Sequence, residues 1–203
     1  MAARYARFVR STLTPAEQAE VDVVDGIAAR LEEYLAGQTV EIDGVHVFRA
    51  SSAKVQAVVG GLLREVGFRE EVVHTPQAGF VTRSRADFAY RLGEGRGIIA
   101  EIERGGTTTN NHDLKDFWKA HIAADAHHLF LVVPMANWKE NGAARERPFR
   151  RVSGRIAAFF GDPRREVDVL SAHVLGYGSD VPINLPTALP SDPQSGQHPS
   201  PGR

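Results

Sequence analysis

Three acids in one short stretch of this chain have the types and spacing for metal chemistry. Asp87, Glu101 and Glu103 lie within residues 85 to 104, RADFAYRLGEGRGIIAEIER. Arg85 to Leu92 alternates, with Ala86, Phe88, Tyr90 and Leu92 on one face and Asp87, Ala89 and Arg91 on the other. A Gly-rich turn, Gly93 to Gly97, leads into a second strand, Ile98 to Arg104. Strand side chains repeat every two residues, so Glu101 and Glu103 share one face of it and Ile98, Ala100 and Ile102 the other. A hairpin of these strands gathers the three carboxylates. Half buried, they repel one another and lose hydration; a hard divalent cation relieves both, and oxygen donors suit Mg²⁺, with Mn²⁺ as a substitute. Such an ion takes one or two carboxylates, keeps several waters, and leaves positions for phosphate oxygens. The competing reading is a solvated strand face whose acids only keep the protein in solution.

The elements that must position this hairpin can be read on either side of it. Thr14-Pro15-Ala16-Glu17 is a capping box with proline at the first helical position, and the apolar spacing from Val21 to Leu35 predicts a long helix ended by Gly37. Thr39 to Phe48 reads as a hairpin, TVEI and VHVF joined by Asp43-Gly44. Residues 53 to 66 follow as a helix capped by Ser51 or Ser52, then a short strand over 69 to 74 and a loop through Pro76 and Gly79. Beyond the acids, the polar loop Gly105 to Asn111 leads to a helix from about His112 to Ala126. LFLVV, 129 to 133, has the continuous apolar run of a strand buried on both faces. A charged irregular segment, a helix over 149 to 160 and a strand over 166 to 175 complete the order; residues 1 to 13 show no clear period. The expected fold class is α/β, a mixed β-sheet flanked by helices, with the stretch from the acidic strand through the next helix to 129–133 giving a parallel pair.

Length and composition agree. The 203 residues suit an N-terminal helix and hairpin extension (1–50), one domain over 51–180, and a Pro-rich tail over 181–203 that holds six of the 11 prolines. No apolar run approaches the roughly 20 residues of a membrane span, and cysteine is absent, so a soluble, cytoplasmic protein without disulfides is expected. Net charge of −1 argues for no particular partner, but arginines cluster at 4, 7 and 10, at 83 and 85, and at Arg145, Arg147, Arg150, Arg151 and Arg155. Histidines 112, 121, 127 and 128 form no H-E-x-x-H pattern. The Gly93–Gly97 turn joins two strands and opens no helix, so it is not a phosphate-binding loop.

The order α-β-β-β-α-β, with an acid on the second strand and Glu101-Ile102-Glu103 on the third, resembles the PD-(D/E)xK (restriction endonuclease-like) nuclease superfamily. The second glutamate makes it most similar to the BamHI/BglII-type branch. Residues 98 to 134, with a polar loop, the D-L-x-x-F segment from Asp113 to Phe117 and an apolar strand ending at Pro134, add to the likeness, which covers roughly 52 to 175. The resemblance implies a restriction endonuclease-like sheet, Asp87 and Glu101 as Mg²⁺ ligands, and Glu103 in the usual lysine position beside the attacking water or on a second ion. It implies Glu65 as the acid that some members bring from the preceding helix. The family's Pro-Asp pair is Ala86-Asp87 here, and its lysine is missing; Lys115, in the first turn of the following helix, is the candidate replacement cation.

The expected activity is metal-dependent endonucleolytic hydrolysis of DNA. Arg145, Arg147, Arg150 and Arg151 would hold backbone phosphates, and Thr107 and Asn110 would touch substrate from the loop beside the acids. A homodimer follows by analogy, since cutting both strands needs two active sites. The alternative is a nuclease fold that binds nucleic acid or a protein without cleaving.

Overall fold

The computed structural model describes residues 4–49, 51–74, 84–161 and 167–181. The Pro-rich tail from 182, Arg83, the loop at Pro76 to Gly79, Phe80 to Thr82 and Glu166 lie outside them. Strands β1 (Tyr5–Val9), β2 (Arg69–Glu70), β5 (Phe88–Gly93), β6 (Arg96–Ile102), β7 (His128–Pro134) and β10 (Ser171–Tyr177) form one mixed sheet in the order β1-β10-β7-β6-β5-β2. Two small pairs stand apart: β3 (Val73–His74) with β4 (Ser84–Arg85), and β8 (Asn137–Trp138) with β9 (Ala144–Glu146). The expected parallel pair is present, β6 beside β7, and β10 extends it on the far side of β7. The acidic hairpin is present as antiparallel β5 and β6, with Phe88 opposite Ala100.

Helices cover both faces, and the two-residue period of the strands decides which core each side chain joins. Ile98 and Ala100 of β6, with Phe130 and Val132 of β7, face α1 (Pro15–Gly37), α2 (Thr39–Val45) and α3 (Ser52–Glu65). Ile99, Leu129, Leu131 and Val133 face α4 (His112–Ile122) and α5 (Pro148–Phe160). A strand that fills both cores can carry no polar side chain in its middle, which is why 129–133 reads as unbroken apolar sequence. Among the described residues no helix is long and apolar enough to cross a membrane.

The capping box forms as read: Thr14 Oγ1 accepts from the Glu17 amide while the Glu17 carboxylate accepts from the Thr14 amide at 2.7 Å. The hairpin expected over Thr39 to Phe48 does not form. Thr39–Val45 is a seven-residue helix of about two turns, entered directly from α1 through Gln38. Helical spacing turns Ile42 into the core and leaves Val40 86% exposed, whereas strand alternation would have put both on one face. Asp43, expected as a turn residue, is instead buried and accepts from the Ser179 amide (2.8 Å) and hydroxyl (2.5 Å). The first residues differ as well. Tyr5 to Val9 pair with β10 as the sheet's edge strand, so the N-terminal stretch is built into the sheet.

Beneath α1 the sheet carries a buried polar chain. Glu20 accepts from Arg96 and bonds His128 Nε2 at 2.8 Å; His128 Nδ1 meets Ser171 Oγ, which meets His173 Nε2, whose Nδ1 meets the Tyr5 hydroxyl, each at 2.8 Å. His128, Ser171 and His173 are fully buried, so this chain of hydrogen bonds satisfies groups that α1 seals from water.

Candidate active site

The acids meet at the carboxyl end of β6, where it leaves the sheet beside the start of β5. Asp87 is held by backbone: its Oδ2 accepts from the Ile102 amide at 3.0 Å, and from Gln56 Nε2 of α3 at 3.2 Å. In return the Asp87 amide donates to Glu101 Oε2 at 3.4 Å. This reciprocal pair replaces the ladder bond the strands would make there and turns both carboxylates to one place. Glu103, one residue beyond β6, reaches His112 Nδ1 at 3.0 Å, the first residue of α4. All three acids line a single cavity of about 410 Å³, together with Gln56, Arg104, His112, Lys115, Asp116 and Lys119.

The cation of the site is Lys119. Its Nζ lies 2.9 Å from both Glu101 Oε1 and Asp116 Oδ1. Lys115, expected in this role, is exposed and lines the same cavity without an ion pair to these acids among the described residues. The two lysines are one helical turn apart on α4, and the docking of Phe117 and Ala120 into the core sets which of them points down. Asp116 is a buried acid of the site that the sequence reading did not single out, and Gln56 and His112 are two further polar neighbours.

Burial raises three acids of the cavity, Glu101, Glu103 and Asp116. The Glu101 carboxyl is pushed up to about 8, by desolvation first and by the Asp116 charge second, against the pull of Lys119. Glu103 is pushed up to about 7 by the same two causes, partly offset by His112. Asp116 is raised by burial too. Burial works against the Lys119 ammonium, but Asp116 and Glu101 outweigh it and hold its pKa above the ordinary lysine value. The site thus concentrates more carboxylate than one lysine neutralises, in a place poor in water.

The other expected site residues separate into those at the cavity and those elsewhere. Glu65 is exposed on the last turn of α3 and does not line the cavity; Gln56, more than two turns earlier, is the α3 residue that does. Thr107 is fully buried and cannot touch substrate, while Asn110 is exposed. Arg145, Arg150 and Arg151 are exposed on β9 and α5, and none lines the cavity. Arg147 donates to the Asp180 carbonyl at 2.8 Å. Arg155 is committed to the loop before α4. It donates to the Thr108 carbonyl (3.2 Å) and Asn111 Oδ1 (2.7 Å), and its Nε lies 3.3 Å from the fully buried Asp113 carboxylate. Asn111 enters α4 in the left-handed conformation (φ 55°), a bend this clamp holds in place. Arg104, next to Glu103 beyond the end of β6, donates to the Val47 carbonyl at 2.8 Å and is also one of the residues lining the cavity.

The donor set for a metal is oxygen, as Mg²⁺ or Mn²⁺ requires, and it rests on two side chains, Asp87 and Glu101. Among the described residues no group of three or more His, Asp or Glu side chains is arranged to hold an ion. Two carboxylates with the remaining positions left to water and phosphate is nevertheless an ordinary Mg²⁺ arrangement. Compared with known proteins, the chain matches no family model and no curated sequence.

Proposed function

We propose that this protein is a metal-dependent endonuclease with a restriction endonuclease-like fold, hydrolysing DNA phosphodiester bonds, and that Lys119 does the work of the lysine missing from its third strand. One observation carries the reading: Asp87 and Glu101, fixed by each other's strand, line an open polar cavity in which a half-buried lysine lies 2.9 Å from Glu101. A solvated strand face would not bury Glu101 or aim Lys119 at it.

Asp87 and Glu101 would hold Mg²⁺, which when bound supplies Lewis-acid polarisation of the phosphate and acidifies a water. The chain's own residues divide the remaining work. Lys119 places a fixed positive charge where a phosphorane-like oxygen gains negative charge, in a site where low dielectric strengthens it. Glu103, with its pKa near neutrality, takes the proton of the attacking water as the new P–O bond forms and the ester P–O bond breaks. His112 orients Glu103 for this through their 3.0 Å contact. Arg104 and Lys115, on the cavity wall, are the cations placed to hold substrate phosphate.

The second reading is a non-cleaving module that binds nucleic acid or a protein. The feature in its favour is that Lys119 already bridges Glu101 and Asp116, a substitute for a metal ion. Supercoiled plasmid incubated with Mg²⁺ or Mn²⁺ separates the two. Metal-dependent nicking that disappears in Asp87→Ala and Glu101→Ala is expected, and plasmid left intact by folded protein would favour the module.

A further inference from the structure

A second concavity adjoins the acidic one. The connection from α2 to α3 and the β8–β9 hairpin enclose an apolar groove of about 540 Å³, walled by His46, Val47, Phe48 and Trp138. Its walls are firm. His46 Nε2 bonds the Ala136 carbonyl at 3.0 Å and its ring packs edge-on against Tyr177. Across from it, the hairpin is closed by Lys139–Ala143 backbone bonding and by Asn137 Nδ2 donating to Glu146 at 2.8 Å. Phe48 is 38% exposed and carries the Arg49 guanidinium 5.2 Å from its ring centre.

Two links join the walls of the groove to those of the acidic cavity. Arg104 lines the cavity and bonds the carbonyl of Val47, which lines the groove. Tyr177, against which His46 packs, donates to the carbonyl of Glu103 at 2.7 Å. The charged lining residues are two acids, Asp43 and Glu140, against one lysine, Lys139, so the groove disfavours a phosphate and suits an uncharged aromatic face better. The phosphates have their cations on the other side of the junction, at Arg104 and Lys115.

We propose that this groove stacks unpaired nucleobases of the strand whose phosphate occupies the acidic cavity, with Phe48 and Trp138 as the platform. The proposal rests on the phosphodiesterase reading and extends it to substrate class: the preferred nucleic acid is single-stranded or unpaired next to the cut. Bases present a π-face whatever their sequence, so the platform selects strand state over sequence.

The test is fluorescence anisotropy of labelled oligothymidine, and of the same backbone with abasic residues, on the full chain with Ca²⁺. Parent protein is expected to bind oligothymidine at least about fivefold more tightly than the abasic strand, the fold-change equivalent of about 1 kcal/mol of stacking. Phe48→Ala and Trp138→Ala should each remove that preference while leaving abasic binding unchanged, with unaltered circular dichroism. Equal affinity for both oligonucleotides, or a preference untouched by both folded variants, overturns the proposal. So does light scattering in which Phe48→Ala converts a dimer to a monomer, since the groove would then be a self-association face. The plasmid assay is scored separately. Nicking without base preference removes only the groove; base preference without nicking retains it and removes hydrolysis.

Discussion

At the scale of single residues, the site is a contest between burial and charge in which Lys119 decides the outcome. Lys119→Met should lower nicking by about 10²–10³-fold, the usual effect of removing one preorganised charge from a transition state, while Lys115→Met should have a smaller effect, through substrate binding. Initial rates across substrate concentration distinguish them. The raised Glu101 makes a stability statement as well. Its pKa moves from 4.5 unfolded to about 8 folded, so its contribution is full below about 4.5 and is lost as pH rises toward 8. Glu101→Gln should therefore abolish cleavage yet raise the Tm at pH 8 by a few degrees, about 1 kcal/mol, with little gain at pH 4.5. Asp87, Glu101 and Glu103 were legible in the sequence because a strand's period assigns faces without knowledge of neighbours. Lys119 was not. Lys115 and Lys119 have nearly the same helical phase, and only the way α4 docks separates an exposed lysine from one paired with buried acids.

At the scale of elements, a loop and a turn depend on contacts made far away in sequence. Arg155→Ala should leave Asp113 buried without its ion pair and cost about 3–5 kcal/mol in urea unfolding; Arg155→Ala combined with Asp113→Ala should recover much of that. Gly97 sits where β6 passes tightly under its neighbours. A Cβ there would stand 2.7 Å from the Tyr90 carbonyl and 2.9 Å from that of Asp125, both backbone atoms that cannot step aside. Gly97→Ala should shift β6 and weaken metal binding at its far end, measured by calorimetric Mg²⁺ titration. The misread segment at Thr39 to Phe48 belongs to this scale. Asp43-Gly44 is a strong hairpin signal locally, but the helix gains burial of Ile42 and two hydrogen bonds from Ser179 to Asp43, partners no local pattern contains. Glu65 and the arginines at 145, 150 and 151 lie away from the cavity for the same reason: sequence gives a helix its face, while packing aims that face.

At the scale of the whole molecule, the mixed sheet and its two helical layers were visible as alternating and continuous apolar runs, and the edge strand β1 was not, because four half-buried residues around an exposed Arg7 carry too short a pattern. The seam that joins this strand to α1 has its own pH dependence. Burial lowers His128 and drives His173 down to about 3. A histidine kept neutral by folding gives full stability above its unfolded pKa of about 6.5 and loses it as pH falls toward the folded value. At pH 5 His173 alone should cost about 2 kcal/mol relative to pH 7, and His173→Gln should flatten the acid limb of the urea-unfolding profile. Asp25, Glu20, Arg7, Arg96 and Tyr5 surround the two rings, so protonation of either is felt by the whole seam.

The division of the site between β6 and α4 has a consequence for when the protein can act. The acids ride on a strand in the centre of the sheet, whereas Lys119 arrives on an eleven-residue helix fastened by Phe117, Ala120 and the Arg155 clamp. A chain in which the sheet has assembled but α4 has lifted is an acidic pit with no counter-charge, a pair of shears missing its pivot. On the phosphodiesterase reading, a molecule in that state would lack the charge that stabilises the transition state. On warming, nicking should fade several degrees before far-UV circular dichroism reports loss of the sheet.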